Sequence, residues 1–209
     1  MIALIDSGRG TQRLEKLLRQ KGVAVQVFND TVNFPYGTKP SNFVIQRAEY
    51  LSDQVVKHGC TCIVLCCNTM TALALDKIET AFPIPVIGML QIPNLLSSLS
   101  RVTILATDNT IASGMWQQAL RKFNLAVTCL SKPKLVAAAQ EGKADVSGIV
   151  AEELSDIKDG CPILFGCTHY SLLTQSICRA KPNSLIIDPV DLVAQKVFNL
   201  LRRESCVLL

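Results

Sequence analysis

Apolar residues along the chain form short uninterrupted runs that alternate with longer amphipathic stretches. Four short runs lie in the first half, and each has the length and the polar or glycine-bearing boundaries of a buried parallel strand. They are "IALI" (2–5), "VAVQVF" (23–28), "CIVLC" (62–66) and "PVIG" (85–88). Three stretches between them have apolar residues at helical spacing: "TQRLEKLLRQKG" (11–22), "NFVIQRAEYLSDQVVKHG" (42–59) and "TALALDKIETAF" (71–82). This alternation predicts α/β layers.

The order of these elements repeats in the second half of the chain. The run "VTILA" (102–106) begins one hundred positions after the first strand, since 102 − 2 = 100. Three more runs follow at nearly the same offset: "LAVTCL" (125–130), "PILFG" (162–166) and "SLIID" (184–188). A repeated period indicates a repeated supersecondary unit. We therefore predict an α/β fold of two similar parallel-sheet lobes, related by pseudo-two-fold symmetry, with the active site between them.

The predicted lobes differ in how the chain is divided between them. We expect the connection near "GMLQIP" (88–93) to join them. The stretch "DLVAQKVFNLLRRE" (191–204) is typical of an amphipathic helix, and we expect it to return and pack on the first lobe. The first lobe is then residues 1–89 plus 189–209, and the second is residues 90–188.

Composition indicates a compact globule rather than a disordered chain. Of the 209 residues, 49% are apolar and 18% are charged. The net charge of +4 is mild and the 21 basic residues are scattered, which argues against a nucleic-acid partner. We expect no signal peptide and no membrane span, because the apolar runs are too short. Nine cysteines, an odd number, suit reduced thiols in a cytoplasm better than a disulfide framework.

Two stretches share one pattern, in which an apolar run leads to a cysteine and then to polar residues. They are "IVLCCNTMT" (63–71), with Cys67, and "ILFGCTHYS" (163–171), with Cys167. The two cysteines are one hundred positions apart, since 167 − 67 = 100. In open α/β sheets, ligands bind beyond the carboxyl ends of the strands, which is where both cysteines are predicted to lie.

The residues after each cysteine predict how its thiol is activated. Asn68 or Thr69, and Thr168 in the second stretch, are residue types that cap helix N-termini. Such a terminus lowers the pKa of a neighbouring thiol, and its free N–H groups hold an anion such as a carboxylate. We therefore expect two activated thiols and an anion cradle on opposite sides of one ligand.

Two thiols that face one carbon suit the inversion of a stereocentre that carries hydrogen. Inversion needs a base on one face and an acid on the other, and the thiol pKa is close enough to neutrality for both forms to be accessible. Asp6 ends the first strand, where it could orient the proton of one thiol. His169 lies two residues beyond Cys167 and could serve the other. Such chemistry requires neither a cofactor nor a metal.

These motifs resemble those of the glutamate racemases, in the cofactor-independent aspartate/glutamate racemase superfamily. The matching pieces follow the order of the family: "DSGRG" (6–10), "DTVNFPYG" (30–37), "CNT" (67–69), "PVIG" (85–88), "ATDNTIASGMW" (106–116) and "GCTHY" (166–170). The "THY" is more similar to glutamate racemases than to aspartate racemases.

The resemblance implies a function and a set of site residues. Cys67 and Cys167 would be the acid/base pair, with Asp6 and His169 as helpers. The implied substrate site consists of Asp6, Ser7, Tyr36, Gly37, Asn68, Thr69, Thr168 and His169. The implied substrate is glutamate, with no cofactor, in a homodimer of the bacterial cytoplasm that supplies D-glutamate for peptidoglycan.

The chain departs from the pattern of the family at several positions, which include Arg9, Thr11, Cys66, Ser171 and a helper position. A helper glutamate is implied on the side of the second thiol, where "LVAAAQEG" (135–142) offers Gln140 and Glu141, and both stay open. Arg9 is bulkier than the usual residue of the family at its position.

Other interpretations also stay open. The chain could be a racemase of aspartate or another small acid, or a degenerate racemase fold that only binds. A metal-binding module built on "CTCIVLCC" (60–67) lacks a CxxC pair with a matching partner. We expect Cys66 to point into the core. The remaining cysteines are predicted to be small buried hydrophobes: Cys60, Cys62, Cys129, Cys161, Cys178 and Cys206.

Overall fold

The chain forms two parallel four-stranded sheets, each covered by helices. The structure is a computed structural model that describes the backbone of residues 1–207 and the side chains of residues 1–203. The first sheet contains β1 (Ile2–Asp6), β2 (Val25–Asn29), β3 (Cys62–Leu65) and β4 (Val86–Gly88). The second contains β5 (Arg101–Ala106), β6 (Ala126–Ser131), β7 (Ile163–Gly166) and β8 (Ile186–Ile187). All eight predicted strands are present.

The helices follow the predicted alternation with the strands. They are α1 (Gln12–Gln20), α2 (Ser41–Lys57), α3 (Asn68–Ala81), α4 (Asp108–Ala112), α5 (Met115–Leu120), α6 (Pro133–Glu141), α7 (Ser147–Glu153), α8 (Thr174–Ala180) and α9 (Val190–Val207). Short 3₁₀ helices cover Arg9–Thr11, Thr31–Asn33, Tyr36–Thr38, Asn94–Ser98 and Thr168–Leu173. No helix in the part of the chain that the structure describes is long and apolar enough to cross a membrane.

The two sheets have the same topology. The strand order is β2-β1-β3-β4 in the first sheet and β6-β5-β7-β8 in the second, and all the pairings are parallel. This confirms the prediction of two similar α/β lobes. In each sheet the strand before the cysteine pairs with the first strand of its lobe, with Ile5 opposite Leu65 and Ala106 opposite Gly166. The carboxyl ends of these paired strands therefore lie side by side and place the following residues close together.

The apolar alternation of β1 builds two cores, one on each face of the first sheet. Ile2 and Leu4 pack with residues of α1 and α9, whereas Ala3 and Ile5 pack with residues of α2 and α3. The terminal helix thus packs on the first sheet, as predicted, through Val190, Val193, Ala194 and Val197. The exact division of the chain into residues 1–89 plus 189–209 and residues 90–188 stays a prediction.

The cysteines other than Cys67 and Cys167 lie in several environments. Cys66 packs in the α1–α9 core and Cys67 in the α2–α3 core, so the two neighbours face opposite sides of the sheet as predicted. Cys60 and Cys62 are buried, whereas Cys129 and Cys161 are only half-buried. The prediction is wrong for Cys178, which is exposed because α8 buries its neighbour Ile177 and turns the next residue outward. The side chain of Cys206 lies outside the described residues.

Candidate active site

Each of the two candidate cysteines is the last extended residue before a helix. Cys67 has φ −76° and ψ 120° and is the N-cap of α3, and Cys167 has φ −150° and ψ 130° before the 3₁₀ helix Thr168–Leu173. The expectation that Asn68, Thr69 or Thr168 would be the cap is therefore wrong. Strand β3 ends at Leu65 and β7 ends at Gly166. The cysteines themselves, Cys67 and Cys167, are the N-cap residues of the helices that follow.

Burial is the largest influence on the pKa of the two thiols. Cys67 and Cys167 each expose 7% of their surface. Burial and the charge of Asp6 raise the pKa of Cys67 to about 11, although the N–H groups of Met70 and Thr69 act against this shift. Burial also raises the pKa of Cys167, with Cys67 and Asp6 adding to the effect. The expected lowering of the thiol pKa is wrong, because desolvation outweighs the helix N-terminus. Asp6 thus influences the pKa of both thiols, as expected of a carboxylate near each of them.

Asp6 links the two lobes through a hydrogen bond with Thr168. Its carboxylate accepts a hydrogen bond from the Gly8 N–H at 2.8 Å and another from the Thr168 hydroxyl at 3.2 Å. The group next to the Cys67 sulfur is instead the Ser7 hydroxyl, at 3.7 Å. Asp6 is fully buried, and this desolvation raises its pKa despite the opposing influence of His169. The direct contact of the Cys67 thiol is therefore Ser7, while the charge of Asp6 raises the pKa of this thiol from nearby.

His169 and Gln140 face each other on the side of the second thiol. The Nδ1 atom of His169 is 3.8 Å from the Cys167 sulfur, and its Nε2 atom is 2.9 Å from Oε1 of Gln140. Glu141, by contrast, points to solvent and forms an ion pair with Lys143 at 3.0 Å. Of the two residues that the sequence left open, Gln140 is therefore the one that lies next to His169, and its side chain carries no charge.

The start of α3 presents polar groups to the space between the lobes. Both polar atoms of the Asn68 amide are buried and have no hydrogen-bond partner among the described residues. An unpaired buried amide costs about 1–3 kcal/mol, which a polar ligand would offset by pairing with it. The Thr69 hydroxyl lies 2.9 Å from that of Thr107 and 3.3 Å from that of Thr110, in the second lobe.

Thr107 and Thr110 were not among the predicted site residues. They follow β5, at the carboxyl end of the strands of the second sheet. Asp6 lies at the same end of the first sheet. The internal repeat was the signal that could have identified them, because residues after equivalent strands occupy equivalent places.

A comparison with known protein families identifies this arrangement. A family model described as Asp/Glu/Hydantoin racemase matches residues 9–197. The chain belongs to this family. The glutamate racemase of Chlorobaculum parvum is 35% identical over 98% of this chain and 80% of its own length. That of Aquifex aeolicus is 28% identical over 98% of this chain and 84% of its own length. Racemases are isomerases, so the family is one of enzymes.

Solved racemase structures have the same fold. A structure of glutamate racemase from Francisella tularensis in complex with D-glutamate is 28% identical, with a TM-score of 0.84 over 98% of this chain and 81% of that one. The Escherichia coli glutamate racemase, at 22% identity, has a TM-score of 0.85 over 96% of this chain and 82% of that one. The match extends across both lobes of the racemase fold.

The loop that carries Tyr36 and Gly37 extends from the first lobe and lies against the second. The Tyr36 side chain is 1% exposed, and its hydroxyl donates a hydrogen bond to Asp30. A Cβ atom at Gly37 would lie 2.5 Å from the Cβ atom of Thr107, so only glycine permits this close approach of the lobes. Tyr36 and Gly37 are both predicted substrate residues. The hydroxyl of Tyr36 is already engaged within the loop by its hydrogen bond to Asp30.

Metal chemistry has no evident site among the described residues. No group of three or more His, Cys, Asp or Glu side chains within this part of the chain is arranged to hold a metal ion. Cys66 and Cys67 pack on opposite faces of the sheet, so they cannot act as two ligands of one ion.

Proposed function

We propose that this chain interconverts L- and D-glutamate by moving a proton at Cα between two cysteines, without a cofactor. The observation that carries the proposal is the pair of buried thiols that follow equivalent strands of two repeated lobes, with Asp6 near both of them. Membership of the racemase family and the similarity to named glutamate racemases support it. The substrate assignment comes from these relatives.

In this mechanism the two thiols exchange roles in each turnover. The thiolate of one cysteine removes the Cα proton and becomes a thiol, and the electron pair stays on the substrate as a carbanion. The thiol of the other cysteine then donates its proton to the opposite face and becomes a thiolate. The product has the inverted configuration, and the protonation states of Cys67 and Cys167 are reversed until they re-equilibrate with solvent.

The remaining site residues fit the binding of an amino acid. The unpaired Asn68 amide and the N-terminus of α3 offer donors for a carboxylate, and Thr69, Thr107 and Thr110 add three hydroxyls. In the proposal, Ser7, Gly37 and Thr168 complete the contacts, and Asp6 and His169 tune the thiols. The biological role that we infer is the supply of D-glutamate for peptidoglycan in a bacterial cytoplasm, by a homodimer.

Proton exchange in deuterated water tests the mechanism. With either enantiomer of glutamate, we expect the Cα–H signal to disappear as optical activity is lost, with deuterium appearing first in the product and not in recovered substrate. Cys67→Ser and Cys167→Ser are each expected to lower kcat/KM by roughly 10²–10⁴-fold, the range of a positioned acid or base. Absence of exchange with both enantiomers would remove the proposal.

Cys66→Ala is the matched control for these variants. Cys66 adjoins Cys67 in sequence but packs in the opposite core, so its loss leaves the proposed chemistry intact. We expect turnover to be retained with some loss of stability. If Cys66→Ala abolishes turnover as completely as Cys67→Ser does, the assignment of Cys67 is wrong.

A substrate panel separates the remaining alternatives. Solved aspartate racemases share the fold, as a TM-score of 0.65 to the Picrophilus torridus enzyme indicates. Faster exchange with aspartate than with glutamate would overturn the substrate assignment but not the thiol mechanism. Binding of D-glutamate without exchange would indicate a degenerate racemase that only binds.

A further inference from the structure

Gln140 bridges the two lobes through a single oxygen atom. It lies near the end of α6, in the second lobe, and its Oε1 atom accepts a hydrogen bond from the Arg9 N–H of the first lobe at 2.9 Å. The same oxygen is 2.9 Å from Nε2 of His169. A backbone N–H can only donate, so the contact with Arg9 requires that the side-chain atom at this position is the amide oxygen and not the nitrogen.

The bridging oxygen determines which nitrogen of His169 carries the proton. An amide oxygen only accepts, so Nε2 must be the protonated nitrogen. A neutral imidazole has one N–H, which leaves Nδ1 with a free lone pair. That lone pair faces the Cys167 sulfur at 3.8 Å and accepts from the thiol.

We propose that Gln140 is a positioning residue that holds His169 as the neutral Nε2–H tautomer, with Nδ1 as the acceptor of the Cys167 proton. The tautomer assignment depends on geometry alone, whereas its consequence for catalysis rests on the proposed function. Gln140 touches no reacting atom, and it acts only through His169.

The contacts of Arg9 hold Gln140 in this orientation. The Arg9 guanidinium donates to the backbone carbonyl of Gln140 at 3.3 Å and packs over Gly142, where a Cβ atom would lie 2.2 Å from Nη1. On the other side, a Cβ at Gly8 would lie 2.5 Å from Oε1 of Gln140 and 2.9 Å from Nε2 of His169. The pair is therefore enclosed between Gly8 and the end of α6. In this proposal, the function of the bulky Arg9 is to hold Gln140 in this orientation.

The neutrality of Gln140 affects the proton balance at Cys167. A proton passed from the thiol to Nδ1 would create an imidazolium, which an amide oxygen stabilises less than a carboxylate does. The charged and polar side chains that face His169 are Asp6 from β1, Arg9 from the first 3₁₀ helix, Cys167 from its own segment and Gln140 from α6. Burial lowers the pKa of His169, Asp6 opposes this and Arg9 adds to it, which agrees with a neutral ring.

Nitrogen-15 NMR of the labelled histidines tests the tautomer directly. The chain has only two histidines, and His58 is an internal reference because its Nδ1 lies 2.7 Å from the carbonyl oxygen of Gln54. That carbonyl requires the Nδ1–H tautomer when His58 is neutral. We expect the two rings to show opposite tautomers above neutral pH, with His169→Asn assigning the signals. An Nδ1–H tautomer or an imidazolium at His169 near neutral pH would overturn the proposal.

Two substitutions at Gln140 separate positioning from structure. Gln140→Glu keeps an acceptor oxygen, so the Nε2–H tautomer should persist while His169 begins to titrate at higher pH. Gln140→Ala removes the acceptor, so both tautomers of His169 should be populated. We then expect kcat/KM to fall roughly tenfold or more, which is part of the effect of a positioned acid–base group. Gln20→Glu, at an exposed position on α1, adds the same charge as Gln140→Glu and should change neither readout.

The outcomes distinguish this proposal from the proposed function. If Gln140→Ala changes neither the tautomer ratio nor kcat/KM, Gln140 does not position His169. If the protein shows the expected tautomers but exchanges no Cα proton of glutamate, the proposed function fails and the assignment stands. If Gln140→Ala does not fold, the wild-type spectrum and the Gln140→Glu variant still test the tautomer of His169.

Discussion

The two thiols illustrate how the surroundings of a residue change its chemistry. A cysteine at a helix N-terminus is normally acidic, but here desolvation dominates and raises the pKa of both Cys67 and Cys167. A raised pKa makes the thiolate rarer and more basic, which suits abstraction of a weakly acidic carbon-bound proton.

The pH dependence of turnover follows from this property. The base must be a thiolate, and the lower of the two raised values is the pKa of about 11 for Cys67. We expect kcat/KM, corrected for ionisation of the substrate ammonium group, to rise about tenfold per pH unit from neutrality towards that value. The same profile should appear for both enantiomers, because their free energies are equal. A plateau that begins near neutral pH would contradict the raised pKa.

Asp6 is expected to lower the stability of the fold while it supports turnover. Burial raises its pKa, so its stabilising contribution is fully present below the unfolded-state pKa and is lost as the pH rises through the folded-state value. Asp6→Asn keeps acceptor and donor atoms for Gly8 and Thr168 but removes the buried charge. We expect a higher Tm than wild type at neutral pH, by about 2–4 °C per kcal/mol, together with a large loss of kcat/KM. Thermal melts from acid to neutral pH should show this advantage shrinking at low pH.

The loop between β2 and α2 is an element whose shape depends on one carboxylate. Asp30 accepts hydrogen bonds from the side chains of Asn33, at 2.9 Å, and Arg47, at 2.8 Å, and from the Tyr36 hydroxyl. Burial acts to raise the pKa of Asp30, but hydrogen bonds from Arg47, Tyr36 and Asn33 outweigh it and the pKa is lowered. These bonds hold the backbone at Gly37 against the second lobe.

Asp30→Asn is expected to loosen this loop. A hydrogen bond to a charged group contributes about 1.5–3 kcal/mol, so we expect a loss of about 2 kcal/mol in the free energy of unfolding at neutral pH, with a raised KM. Because the pKa is lowered in the fold, the stabilisation by Asp30 is lost as pH falls through its folded-state value, and the difference from wild type should shrink in acid.

Urea unfolding at neutral and acidic pH measures this effect. Asp53→Asn is the control, because Asp53 forms an exposed ion pair with Lys57 on α2 and such pairs contribute about 0–1 kcal/mol. An equal loss of stability in both variants would show that Asp30 has no special role in the loop.

Hydrogen bonds of Asn109 join the two lobes along a seam. The Asn109 side chain donates to the backbone carbonyls of Tyr36, at 2.9 Å, and Lys39, at 2.7 Å, and thus ties α4 to the loop of the first lobe. A cavity of about 70 Å³ lies next to this tie, lined by Phe34 and Gly37 from one lobe and Val136 and Tyr170 from the other. Since residues of both lobes line it, relative movement of the lobes would change its size.

Asn109→Ala is expected to make the lobes separate more easily. Two hydrogen bonds at about 1 kcal/mol each are lost, so we expect faster amide hydrogen exchange in residues 36–39 and a raised KM, with a small loss of overall stability. Asn124→Ala, at an exposed position outside the seam, should change neither. If exchange at residues 36–39 is unchanged in Asn109→Ala, these bonds do not hold the loop.

Most of the architecture was predictable from local patterns. The central strands β1, β3, β5 and β7 are runs buried on both faces, so their apolar character is visible without knowledge of their neighbours. The offset of one hundred residues predicted two similar lobes, and the placement of Cys67 and Cys167 after equivalent strands predicted a shared site. The apolar spacing of α9 predicted an amphipathic helix, although its partner surface was inferred only from the chain order.

The details of the chemistry were decided by tertiary structure. Desolvation depends on what covers a side chain, so the sequence predicted the wrong direction of the thiol pKa. The choice between Gln140 and Glu141 depends on which side of α6 faces the first lobe, and adjacent helical residues differ only in that direction. Thr107 and Thr110 join the site because the lobes bring the ends of two sheets together. A sequence records residue types and their periodicity, but burial and contacts between distant segments exist only after the chain has folded.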